Sequence, residues 1–81
     1  MKPGVSTAWH KLSNTTERYC ILSGSGVVEV GGLAPAQVTV DDVVIIEPGQ
    51  RQKITNTGKE DLLFLAICSP RFETKNYQSA E

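Results

Sequence analysis

Histidine is nearly absent from this sequence: His10 is the only one in 81 residues. A site built from several imidazoles is thereby excluded, and no Ser–His–acid arrangement has positional support. Cysteine is scarce as well. Cys20 and Cys68 are too few for a disulfide framework, and with His10 they match no zinc-ligand spacing. The longest apolar run, LLFLAIC at 62–68, falls far short of the ~20 residues a membrane span needs. No basic start followed by an apolar stretch and a cleavage site opens the chain, so no secretory signal is expected. The expectation is a cytoplasmic protein with reduced thiols, in which the NTT sequon at 14–16 has no consequence. Neither sign of charge dominates. A formal net charge of -1 gives no electrostatic reason for nucleic acid or an anionic membrane as partner.

What is present reads as one small domain rich in Val, Ile and Leu. A chain this short buries only a little over ~60% of the surface its unfolded form exposes. Its own core is marginal, so a second copy, a ligand or a metal is expected to add stability.

Short strand-like runs alternate with turn signals. ERYCILS (17–23) stops at GSG, and VVEV (27–30) stops at GGLAP. AQVTV (36–40) leads into the acidic turn Asp41–Asp42, and VVIIE (43–47) runs to Pro48–Gly49. RQKIT (51–55) ends at NTGKED, whose Asn56 and Gly58 suit a tight hairpin. LLFLAIC follows. No segment has a helical period, and the glycines of GSGVVEVGG precede no helix, so they are turn residues and not a nucleotide fingerprint. Strands at this spacing predict an all-β fold, an antiparallel sandwich or small barrel. The run 62–68 does not alternate, so both of its faces should be covered, one by the interior and one by a second sheet, the tail or a partner subunit. Residues 1–72 make the domain. The polar segment 73–81 is expected as a loose tail, with Phe72 and Tyr77 the residues that would pin it.

Alternation puts His10 and Leu12 on one face of their segment. It likewise groups Glu17, Tyr19 and Ile21, and Gln52, Ile54 and Asn56. If these faces are interior, a few polar groups sit in an apolar lining, the general form of a ligand pocket. A carboxylate at the start of an inward-facing strand is expensive unless paired or ligating. Glu17 therefore has either a pocket role or a cation partner such as Arg51 or Lys53. Gln52 can donate and accept, which suits a sugar, an acid or a water. Tyr19 belongs to the core or points its hydroxyl into the cavity. Trp9 falls opposite His10 and reads as packing or subunit contact. Cys20 falls opposite Glu17 and reads as inert, and Cys68 reads as a buried structural thiol.

Two spacings together are specific. Gly4, five residues, His10-Lys11-Leu12, four residues, Glu17, six residues, Gly24 forms the first. Asp41, five residues, Glu47-Pro48-Gly49, two residues, Gln52, three residues, Asn56 forms the second. The chain resembles a small single-domain cupin over nearly its whole length, from Gly4 to about Cys68. Leu12 and Gln52 stand where the family has metal-binding histidines, and Asp41 and Glu47 stand where its second motif has glycine and proline.

The resemblance implies an antiparallel jelly-roll β-barrel and an interior site at the positions of His10, Glu17 and Gln52, to which alternation adds Tyr19 as a candidate for the pocket. It also implies a divalent metal such as Mn, Fe, Ni or Zn, for which His10, Glu17 and Gln52 are the candidate ligands. One imidazole nitrogen and two oxygens make a weaker set than the family's usual one. The leading expectation is a small cupin that binds a small polar ligand, with or without a weakly held metal. A metal-dependent oxygenase, isomerase or lyase is the second reading. A vestigial pocket with a structural or interaction role is the third. A homodimer formed by sheet-to-sheet contact is expected under any of them.

Overall fold

The computed structural model describes residues 1–81 and is built almost wholly of strands, as expected. In chain order these are β1 (His10–Leu12), β2 (Thr16–Ser23), β3 (Ser25–Val30), β4 (Ala36–Thr39), β5 (Val43–Ile46), β6 (Gln52–Asn56), β7 (Leu63–Ser69) and β8 (Tyr77–Ser79). They form a five-stranded sheet, β4-β3-β6-β1-β8, and a three-stranded sheet, β5-β2-β7, with every pairing antiparallel. Strands adjacent in sequence repeatedly fall in different sheets, the jelly-roll manner of closing a sandwich. No helix is long and apolar enough to cross a membrane.

Period-two burial defines the inner faces. On β2 the buried residues are Glu17, Tyr19 and Ile21, and on β6 they are Gln52, Ile54 and Asn56. The apolar core joins Tyr19 and Ile21 to Val28, Val30, Val38, Ile46, Ile54 and Leu62. Three glycines of the turns sit at positive φ where the sequence calls for turns, and Gly24 is the most constrained of them. Its φ is +84°, and a Cβ there would stand 2.5 Å from the Asp61 carbonyl oxygen. Only glycine lets the β2–β3 corner lie that close to the chain entering β7.

The structure departs from the expectations in three places. NTGKED is no hairpin, because β6 and β7 belong to different sheets and the segment crosses between them. Asn56 is buried inside that corner and not at a turn tip. Its amide nitrogen donates to the carbonyls of Met1 and Glu60, and its side-chain oxygen accepts from the Gly58 N–H.

The segment after Phe72 is not loose. A 3-10 turn at Thr74–Asn76 leads into β8, which pairs with β1 through His10–Ser79, Lys11–Gln78 and Leu12–Tyr77. His10 therefore lies on an inner strand of its sheet and not on an edge. Arg51 fastens the end, with Nε and Nη2 both donating to the Ala80 carbonyl at 3.1 and 2.9 Å. The Trp9 N–H donates to Glu81 Oε1.

On β7, finally, only one face is covered within the chain. Phe64 and Cys68, half-buried, turn toward the β2 inner face with Ala66 exposed between them, while Leu63, Leu65 and Ile67 stand open to solvent. The tail goes to β1 in the other sheet and leaves that outer face bare.

Candidate functional site

The two motifs meet inside the sandwich. His10 on β1 is the cross-strand partner of Gln52 on β6, so their side chains share the inner face of the five-stranded sheet. Opposite, β2 of the three-stranded sheet presents Glu17 and Tyr19 inward. The Tyr19 hydroxyl donates to Gln52 Oε1 and so joins one sheet to the other across the interior. Tyr19 and Gln52 are both fully buried. Phe64 meets the Tyr19 ring edge-on at a centroid distance of 5.0 Å, a favoured aromatic geometry.

Glu17 is only 8% exposed, and its Oε1 has no hydrogen-bond partner. Burial pushes its carboxyl above the usual range, opposed in part by hydrogen bonding from Gln52 and by the charge of His10. No cation pairs with it. The one ion pair of the molecule is Lys75–Glu73. Arg51 and Lys53, the alternative partners considered from sequence, lie over the Trp9 ring, 4.3 and 5.8 Å from its centroid. Trp9 thus packs against side chains of β6 and its approach, opposite His10 as alternation requires.

His10 Nδ1 lies 2.8 Å from the Ala8 carbonyl oxygen. A carbonyl only accepts, so Nδ1 carries the proton and Nε2 is the nitrogen left for a ligand. Tyr77 of β8 stacks on the imidazole.

One residue of the site was assigned a purely structural role from sequence. Cys68 on β7 is the cross-strand partner of Glu17 and turns to the same face. Burial, then the charge of Glu17, pushes its thiol up. Burial, then Glu17, then Cys68 likewise raises the Tyr19 phenol, which stays a donor throughout the ordinary pH range. Alternation along LLFLAIC was masked by its unbroken apolarity, so only strand pairing reveals which way Cys68 faces.

The donor set does not fit a resident divalent ion such as Mn, Fe, Ni or Zn. No three His, Cys, Asp or Glu side chains are grouped to hold one. Leu12, which shares the face of His10, is buried and cannot ligate. The Gln52 oxygen that would ligate is already engaged by Tyr19.

Comparison with known proteins agrees with the fold. The family profile described as "Cupin domain" matches residues 1–68. A protein of Thermotoga maritima named oxalate-binding protein is 37% identical over 67 residues, which cover 83% of this chain. The chain spans about half, 54%, of that relative's length. The crystal structure of a predicted oxalate decarboxylase from Thermotoga maritima superposes with a TM-score of 0.79 at 37% identity, covering 84% of this chain and 58% of that one. An uncharacterized conserved protein with a double-stranded beta-helix domain from Klebsiella pneumoniae superposes with a TM-score of 0.87. Its identity of 24%, over 99% of this chain and 68% of that one, speaks to the fold alone.

Proposed function

The chain belongs to the cupin domain family, and from that premise we propose that it binds a small polar ligand, in the first instance a small carboxylic acid, beside Glu17, Gln52, Tyr19 and His10. The observation that carries this reading is the unpartnered Oε1 of Glu17 in a buried position. A buried polar atom left unsatisfied costs about 1–3 kcal/mol, and folded proteins keep few of them. A ligand that brings a hydroxyl or an acid proton to that oxygen removes the cost.

The raised carboxyl of Glu17 adds a second mode. When it holds its proton, Glu17 donates to a ligand carboxylate, and His10 lies on β1 of the facing sheet. The name of the Thermotoga relative makes oxalate the first compound to try.

Thermal-shift and calorimetric titration with oxalate, acetate and a set of sugars tests the proposal. A ligand at a hundred times its Kd raises native-state stability by about 2.7 kcal/mol. The expected result is stabilisation by a small acid that is lost in Glu17→Ala. A folded protein that no class of compound stabilises would overturn the reading.

We also propose that two chains associate through the outer face of β5-β2-β7. Val43, Ile45, Leu63, Leu65 and Ile67 are each about half exposed there. An apolar surface of this kind on a small domain favours association. Cys20 and Cys68 are free thiols, which supports a reducing, cytoplasmic location.

A further inference from the structure

An apolar cleft of about 160 Å³ is open to solvent beside strands β3, β4 and β5. Val28 and Val30 of β3, Ala36 of β4, Val44 and Ile45 of β5, and Leu33 and Ala34 of the β3–β4 loop line it. The eighth lining residue, Gln50, is the only polar one. Strands β4 and β5 are the edge strands of the two sheets, so the cleft enters the space between the sheets from that side. Val30 pairs with Gln52 and Val44 with Tyr19; the inner wall of the cleft therefore backs onto the polar site without sharing a lining residue with it.

Two features select an occupant. The first is size and lining. A cavity of roughly 150 Å³ walled by aliphatic and aromatic side chains holds one benzene, and this cleft, though open to solvent, has a comparable volume with seven apolar residues around it. The second is the set of Gln50. Its Oε1 accepts the Glu47 backbone N–H at 2.9 Å, which fixes the amide and leaves both N–H groups of Nε2 with no protein acceptor. Gln50 is half-buried, so a donor with no protein partner borders the apolar cleft.

We propose that this cleft is a second binding site, for a compound with one small ring and a carboxylate that the Gln50 amide meets. The ring fills the space between Val30, Val44 and Ala36, and the acceptor lies at Gln50. No metal and no residue of the Glu17 site takes part. Ile45 also belongs to the outer face assigned above to the dimer, so the titrations are made at one protein concentration.

The test is methyl-resolved NMR titration of the full chain with benzoate, with benzyl alcohol as the neutral probe and oxalate as the competitor without an apolar part. Saturable shifts centred on Val30, Val44 and Ala36 are expected with both ring compounds, and oxalate should leave benzoate in place. Gln50→Glu keeps the acceptor that holds Glu47 but sets a carboxylate where the donor was. It should weaken benzoate about 10-fold or more, the scale of a lost hydrogen bond to a charged group, and spare benzyl alcohol. Ala36→Leu, at an exposed edge-strand position, should fill the cleft and abolish binding of both, with Ala34→Leu as the second filling variant should the first not fold. Shifts centred elsewhere, displacement by oxalate, binding that survives filling, or no saturable shift would each overturn the proposal.

Discussion

Tyr77 lies nearly flat on His10, with ring centroids 5.4 Å apart and planes 16° from parallel. The contact ties the end of the chain to the lone histidine, because β8 pairs with β1 along the same three residues. A segment polar enough to look loose is thus held by one stack, a short ladder and the Arg51 grip on Ala80. Tyr77→Ala should cost about 0.5–1 kcal/mol, the lower part of the range for aromatic pairs because the ring is half exposed. Urea denaturation measures it, and hydrogen exchange at Lys11 and Ser79 should quicken in the variant.

Glu17 should make stability fall with rising pH. An unfolded glutamate titrates near 4.5, and burial raises the folded value above that. Below 4.5 both states hold the proton and the group is neutral in effect. As pH climbs through the unfolded value and on through the raised folded value, the folded state loses ground, and the loss is complete above the latter. Glu17→Gln cannot ionise. It should remove this slope and gain about 1–3 kcal/mol at neutral pH, the scale of a relieved buried group. Denaturation from pH 4 to 8, as ~1-unit steps across the carboxylate range, reads both.

Tyr19→Phe keeps the ring against Phe64 but removes the donor to Gln52 Oε1. The oxygen is then buried without a partner, a loss of about 1–3 kcal/mol. Equilibrium unfolding should show it with little change in the far-UV spectrum, since the strands remain paired.

Ile67→Lys places a charge on the bare outer face of β7. Gel filtration with light scattering should find the parent as a dimer and this variant as a monomer. The fold itself should survive, because an exposed substitution away from special features changes stability within about 0.5 kcal/mol. A parent that elutes as a monomer would remove the dimer.

Elemental analysis after incubation with Mn, Fe, Ni or Zn and dialysis should find well under one ion per chain. Retention of one ion per chain, lost in Glu17→Ala, would show that Gln52 releases Tyr19 to ligate.

Much of the fold was legible because strand physics is local. Alternation grouped the residues that β2 and β6 turn inward, though it did not say which face was the inner one, and the two motif spacings carried the resemblance that set His10, Glu17 and Gln52 together. Short-range rules failed where the answer lay across the sandwich. Asn56 and Gly58 have the composition of a hairpin, yet whether a turn closes a hairpin or passes to another sheet depends on where the next strand pairs.

Sequence by itself determined the all-β architecture, the family spacing and the lack of a second imidazole at Leu12, since each follows from residue identity and separation along the chain. Tertiary structure alone decided that Tyr19 occupies the Gln52 oxygen, that Cys68 turns toward Glu17, that β8 covers β1, and that one oxygen of Glu17 is left without a partner. Those outcomes depend on which strands become neighbours. Pairing is set by the total burial and hydrogen bonding of the whole chain, and no single stretch of residues carries that information.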